Sequence, residues 1–96
     1  MNKLYLITGP AGVGKSTVSR MLASSIEKSA LIEGDDLYNM VRNGYISPWK
    51  EGNQLDLMWD NALYLINNFL KEGFDVIFNY IINEDKLKLL KETFRD

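Results

Sequence analysis

The sequence predicts an α/β fold built on a parallel sheet, and three observations carry that prediction. Short apolar runs stand at Leu4 to Thr8, Ala30 to Glu33 and Val76 to Phe78. Between them, apolar residues recur at helical spacing, and glycines mark the change from one pattern to the other. Strands that alternate with helices must return by crossovers, and crossovers are right-handed, so the strands run parallel.

The first strand, from Leu4 to Thr8, is stopped by Gly9, and Val18, Met21, Leu22 and Ile26 then give a helix. Ala30 to Glu33 is a second strand closed by Gly34. Asp35 and Asp36 are N-cap types for a helix carrying Leu37, Met40 and Val41, and Asn43-Gly44 supplies its stop. The stretch GYISPWKEG reads as a loop, because Pro48 disfavours helix in its neighbours. Leu55, Met58, Trp59, Ala62, Leu63, Ile66, Phe69 and Leu70 then form a broad apolar stripe that ends before Gly73. That is a helix long enough for a crossover. Val76 to Phe78 belong to a continuous apolar run, the pattern of a strand buried on both faces. Asn83 caps a last helix through Leu87, Leu90 and Phe94. The element order is βαβααβα, and the methionines are expected as core fillers.

At 96 residues the chain is one domain, spanning 1–96. Hydrophobic residues make up 46% and charged residues 25%, the balance of a soluble globular chain. No segment approaches the ~18 apolar residues of a membrane span. The opening MNKLYLITGP is broken by Gly9 and Pro10 before a secretory core is complete, so a cytoplasmic protein without a membrane partner is expected. With no cysteine there is no disulfide framework or thiolate metal site. With no histidine, acid–base work falls to carboxylates or lysine. A net charge of -2, without a dense basic run, argues against a nucleic-acid partner.

Gly9 to Ser16 satisfies G-x-x-x-x-G-K-S/T between a predicted strand and a predicted helix, as a phosphate-binding loop requires. Average residue usage gives such a match in a chain this long on the order of a few times in a thousand. Gly9, Pro10, Ala11, Gly12, Val13 and Gly14 let successive backbone N–H groups curl toward one anion, with the helix N-terminus adding positive charge. Lys15 neutralises transferring phosphate charge and Ser16 offers its hydroxyl to Mg²⁺. Thr17 either joins this cradle or satisfies backbone groups of the first turn. Asp35 and Asp36 fall past the carboxyl end of the second strand, the edge at which ligands of parallel sheets bind. One of them accepts a substrate proton or organises the metal, or both complement the following helix. Arg42 is an acceptor-side group or a solvated surface arginine, and Tyr45 and Trp49 wall a pocket or pack the proline loop down.

LYLITGPAGVGKST together with LIEGDDLYNMV resembles the small-molecule P-loop kinases, the group of gluconate kinases, shikimate kinases and chloramphenicol phosphotransferase-like proteins. GYISPW, MWDNAL and DVIFNY look most like gluconate-kinase-like members. The resemblance implies a three-layer P-loop NTPase fold of the nucleoside-monophosphate-kinase type. It implies ATP and Mg²⁺ as cofactors, and Asp35 as base or metal organiser. The implied function is transfer of the γ-phosphoryl group to a hydroxyl of a small, gluconate-like acceptor. A nucleotide-binding module with little turnover and a nucleoside or nucleotide kinase are the alternatives; a guanine-reading N-K-x-D is absent from the sequence.

Two departures from that family stand out. The later strands and the arginine-bearing lid of the family have no counterpart here, so the chain is expected to match only the N-terminal portion of the pattern. In the family's strand order, 2-3-1-4-5, stopping after the third strand leaves the phosphate-loop strand as an exposed edge, to be covered by a C-terminal half or by self-association. The apolar run of the third strand ends at Asn79 where a metal-holding acid is usual, and Asp75 lies at the wrong end to replace it.

Overall fold

The computed structural model describes residues 2–9 and 14–94. Its elements are β1 (Leu4–Ile7), α1 (Lys15–Ser25), β2 (Ser29–Glu33), α2 (Gly34–Tyr38), α3 (Gln54–Lys71), β3 (Asp75–Asn79) and α4 (Glu84–Thr93). β3 lies between the other two strands, giving the order β1-β3-β2 with both pairings parallel. The phosphate-loop strand is therefore an edge of the sheet among the described residues, as the sequence predicts.

The two crossovers run in opposite directions across the sheet, β1 to β2 past β3 and then β2 back to β3. Right-handed connections consequently put α1 and α3 on opposite faces, which makes three layers. Side-chain alternation along β3 agrees: Val76 and Phe78 join Ile32 in one cluster with Met58, Trp59, Ala62 and Ile66 of α3. Ile77, between them, points to the face on which α1 packs. All three β3 residues are 0% exposed, the burial on both faces that their continuous apolar run implies. Trp59 packs edge-to-face on Phe78 with ring centroids 5.5 Å apart, and Leu90 of α4 closes the same cluster.

The long helix has the extent and stripe its sequence predicts, and Gly73 follows it with φ 92. Asn83 caps α4, its side-chain oxygen accepting the Lys86 amide at 2.8 Å. Three expectations need correction. The N-cap of α2 is Glu33, so Asp35 and Asp36 lie inside the first turn, where their charge complements the helix dipole. That helix also ends at Tyr38 rather than continuing to Val41. Tyr38 is buried and its hydroxyl donates to the Ile46 carbonyl, tying the chain to the loop it would otherwise pass. Gln54 holds the same loop through both ends of its amide, accepting from Ile46 N at 2.9 Å and donating to the Gly44 carbonyl. The third correction concerns side-chain burial. Met21 and Met40 are exposed while Met58 is core, and on α1 the residue that turns inward is Ser19, not Val18. Ser19 is small and returns its hydroxyl to the Lys15 carbonyl at 2.7 Å, so it is buried without an unmet polar group. No helix among the described residues is long and apolar enough to cross a membrane.

Candidate functional site

Register across the sheet brings three strand ends level. Ile7 pairs with Asn79, and Asn79 pairs with Glu33, so the exits of β1, β3 and β2 form one line at the carboxyl edge. α1 begins at this edge. Gly14 precedes it with φ 85, a left-handed conformation that costs a glycine little and a branched residue a good deal. The phosphate-loop positions Pro10, Ala11, Gly12 and Val13 lie outside the described residues. Lys15 is half-buried and its Nζ donates to the Gly9 carbonyl at 2.6 Å, which holds the ammonium near the exit of β1. Thr17 is exposed on the first turn of α1.

Ser16 meets the strand ends. Its hydroxyl donates to Glu33 Oε1 at 3.1 Å, and Asn79 Nδ2 donates to the same carboxylate oxygen at 2.7 Å. A longer contact of 3.4 Å joins Asn79 Nδ2 to Ser16 Oγ. A hydroxyl, a carboxylate and a carboxamide thus converge beside the lysine. Oxygen donors of this kind are the chemistry a hard cation such as Mg²⁺ requires, so the residues present fit a Mg²⁺–nucleotide. Glu33 was absent from the sequence-derived candidates. As the last residue of an apolar run it read as a strand terminus, and only its register with Asn79 reveals its neighbours. Asp75, at the amino end of β3, accepts from the Lys3 amide at 2.9 Å and stands away from this cluster.

Asp35 is exposed at the start of α2, and it is Glu33, not Asp35, that reaches Ser16. The surroundings of Asp35 are nonetheless specific. Tyr80 follows Asn79 directly, donates its amide to the Ile7 carbonyl at 3.2 Å, and lays its ring on Gly34. A Cβ on Gly34 would stand 2.5 Å from Tyr80 Cδ1, so only glycine allows this approach beside Asp35. Burial, with the Asp35 charge next in importance, holds the Tyr80 phenol above its usual pKa. Burial raises Tyr38 likewise, with Tyr45 contributing.

The remaining acceptor-side candidates separate. Tyr45 packs edge-to-face on Tyr38, centroids 5.6 Å apart, and so pins the loop. Arg42 is exposed on the segment between α2 and that loop. Trp49 is 81% exposed and borders a cavity with Pro48, Leu55, Trp59, Tyr80, Ile81, Asn83 and Lys86. Of the sequence-derived residues, then, Ser16 joins the cluster with Glu33 and Asn79, and Lys15, next to it in the chain, turns to the Gly9 carbonyl. Asp35 follows Gly34, on which the Tyr80 ring rests, and Trp49 lines the cavity that Tyr80 also borders.

Comparison with known proteins agrees with this architecture. A family model described as AAA domain matches residues 6–94. None of the curated proteins matches the chain. Among solved structures, a chain of the Pnkp1/Rnl/Hen1 complex is similar with a TM-score of 0.66 and 22% identity, which speaks to the fold. The match covers 97% of this chain and 31% of that one, so this chain spans about a third of the length of the solved chain it resembles.

Proposed function

Because the chain belongs to the AAA domain family, with a P-loop fold that binds nucleotide phosphates, we propose that it is the nucleotide-binding part of an ATP-dependent phosphotransferase acting on a hydroxyl of a small metabolite. The observation that carries the proposal is the convergence of Ser16, Glu33 and Asn79 beside Lys15 at the carboxyl edge of the sheet. Lys15 would exchange the Gly9 carbonyl for phosphate oxygens, which are stronger partners because they carry charge. Ser16 and Glu33 would hold Mg²⁺, with Asn79 fixing the Glu33 carboxylate. When bound, the ion neutralises charge on the phosphates.

Phosphoryl transfer also needs a group to take the acceptor's proton. Asp35 is the candidate, since it stands one turn from the strand ends and is exposed to an incoming hydroxyl. Glu33 is engaged with two donors, which leaves it for the metal rather than the proton. Arg42 and Trp49 remain candidates for the acceptor side, and a gluconate-like polyol is the acceptor that the sequence resemblance suggests.

The test is ATP consumption with and without hydroxyl acceptors, on the wild type and Lys15→Ala. Acceptor-stimulated turnover that disappears in the variant supports the proposal. A second reading, nucleotide binding with little turnover, is favoured by one observation: β3 ends in an amide where an acid is expected. Tight, Lys15-dependent ATP binding without stimulation by any acceptor would establish that reading instead.

A further inference from the structure

The cavity beside Trp49 has a chemistry that bears on the acceptor. Its volume is ≈ 300 Å³, and it opens at the carboxyl edge of the sheet, where Tyr80 and Ile81 continue directly from Asn79. Trp49 and Pro48 form one wall, and Trp59 and Tyr80 form another. The last two rings pack edge-to-face with centroids 5.9 Å apart, so that wall is rigid. Trp49 is different: at 81% exposure its indole is a large apolar plane that the fold leaves uncovered. Lys86 stands over the Trp59 ring, Nζ 5.4 Å from its centroid, and supplies a cation at the rim.

A polyol gains its affinity from many directional hydrogen bonds, and it leaves buried polar groups unpaired where donors are few. Here the polar side-chain groups belong to Asn83 and Lys86, with the Tyr80 hydroxyl and the two indole N–H groups, and the greater part of the surface is aromatic and aliphatic. Such walls suit a flat π-system, which stacks on indole and phenol faces without needing hydrogen bonds. Position matters equally. The Tyr80 ring rests on Gly34, the residue before Asp35, so a ligand in the cavity lies against the same side chain that borders the proposed proton acceptor. We infer that this cavity seats a planar aromatic ring of the phosphoryl acceptor, and that the acceptor is a nucleoside rather than a polyol. This inference rests on the phosphotransferase reading for the word acceptor, and on cavity chemistry alone for the ring. A polynucleotide is disfavoured, because Lys86 is the cation among the lining residues and the chain carries a net charge of -2.

Calorimetric titration tests it. Wild-type protein is first saturated with Mg²⁺ and a non-hydrolysable ATP analogue, so that the nucleotide site is filled. Adenosine, cytidine, D-ribose and D-gluconate are then titrated in turn, and the nucleosides are repeated with Trp49→Ala and Trp49→Phe. Stacking of one base predicts nucleosides binding at least about tenfold tighter than ribose, with that advantage lost in Trp49→Ala and kept within about threefold in Trp49→Phe. Because Trp49 is exposed, the alanine variant is not expected to unfold. Equal affinity for ribose and nucleosides, or full nucleoside binding by Trp49→Ala, overturns the inference. So does binding of a single-stranded oligonucleotide when free nucleosides do not bind. Trp49-dependent nucleoside binding without phosphoryl transfer would sink the phosphotransferase reading and leave the ring seat standing. Transfer to gluconate with no nucleoside binding would do the reverse.

Discussion

In the proposed reading, Glu33 and Asn79 would divide between them a task that a single acid at the end of β3 usually performs. The carboxylate sits on β2 and the amide on β3, joined at 2.7 Å. Asn79→Asp would put two carboxylates in contact at a position only 6% exposed. Without metal, the like charges and the lost donor should cost about 1–3 kcal/mol in urea denaturation, and millimolar Mg²⁺ should recover most of it. A loss that Mg²⁺ does not touch would show that no cation enters there. Glu33→Gln should remove the Mg²⁺ response altogether. Lys15→Ala should lower ATP affinity by about tenfold or more while moving the melting transition little, since the bond given up, to the Gly9 carbonyl, has a net worth of about 0.5–1.5 kcal/mol. Lys15 and Ser16 are singled out by the sequence because a fixed spacing within one loop reports them. The contact of Ser16 with Glu33 has no such local signal, because what stands beside Glu33 depends on which strand pairs with β2, a partner 46 residues away at Asn79.

At the scale of elements, local signals and tertiary ones can be told apart. The end of α3 and the start of α4 follow from residues within a turn of them, Gly73 and Asn83, and both were predictable for that reason. Asn83→Ala should therefore cost about 1 kcal/mol, measured as a shift in the urea midpoint without a change in slope. The early end of α2 had no such signal. It depends on Tyr38 reaching Ile46 and on Gln54 gripping Gly44 and Ile46 from the far side of the loop, contacts that helical periodicity cannot encode. The link between β3 and α2 is equally non-local. Gly34→Ala would drive a methyl against the Cβ, Cγ and Cδ1 atoms of Tyr80, the near part of that side chain, which cannot swing clear. A cost of about 1–3 kcal/mol is expected. In a double-mutant cycle with Tyr80→Ala, the two changes should be strongly non-additive, and simple additivity would contradict the contact.

The molecule as a whole has an alkaline limit set by its tyrosines. Tyr80 and Tyr38 are both held above the ordinary value of 10.0, so the folded state keeps their protons at a pH where the unfolded chain releases them. Stability from this source is complete below about pH 10 and falls as pH rises through the elevated folded values. Thermal melts taken from about pH 8 upward should be flat and then decline, and Tyr80→Phe should soften the decline. The sheet imposes a second constraint on the whole chain. β1 and β2 both bond to β3 and not to each other among the described residues, and the partners Leu4 and Val76 lie 72 positions apart in the sequence. As the polypeptide leaves the ribosome, no strand has a neighbour until Asp75 and the residues after it emerge. Until then α1 has no β3 to pack against, and Glu33 has no Asn79 beside it. Assembly of the Ser16, Glu33 and Asn79 cluster therefore waits on the arrival of the third strand.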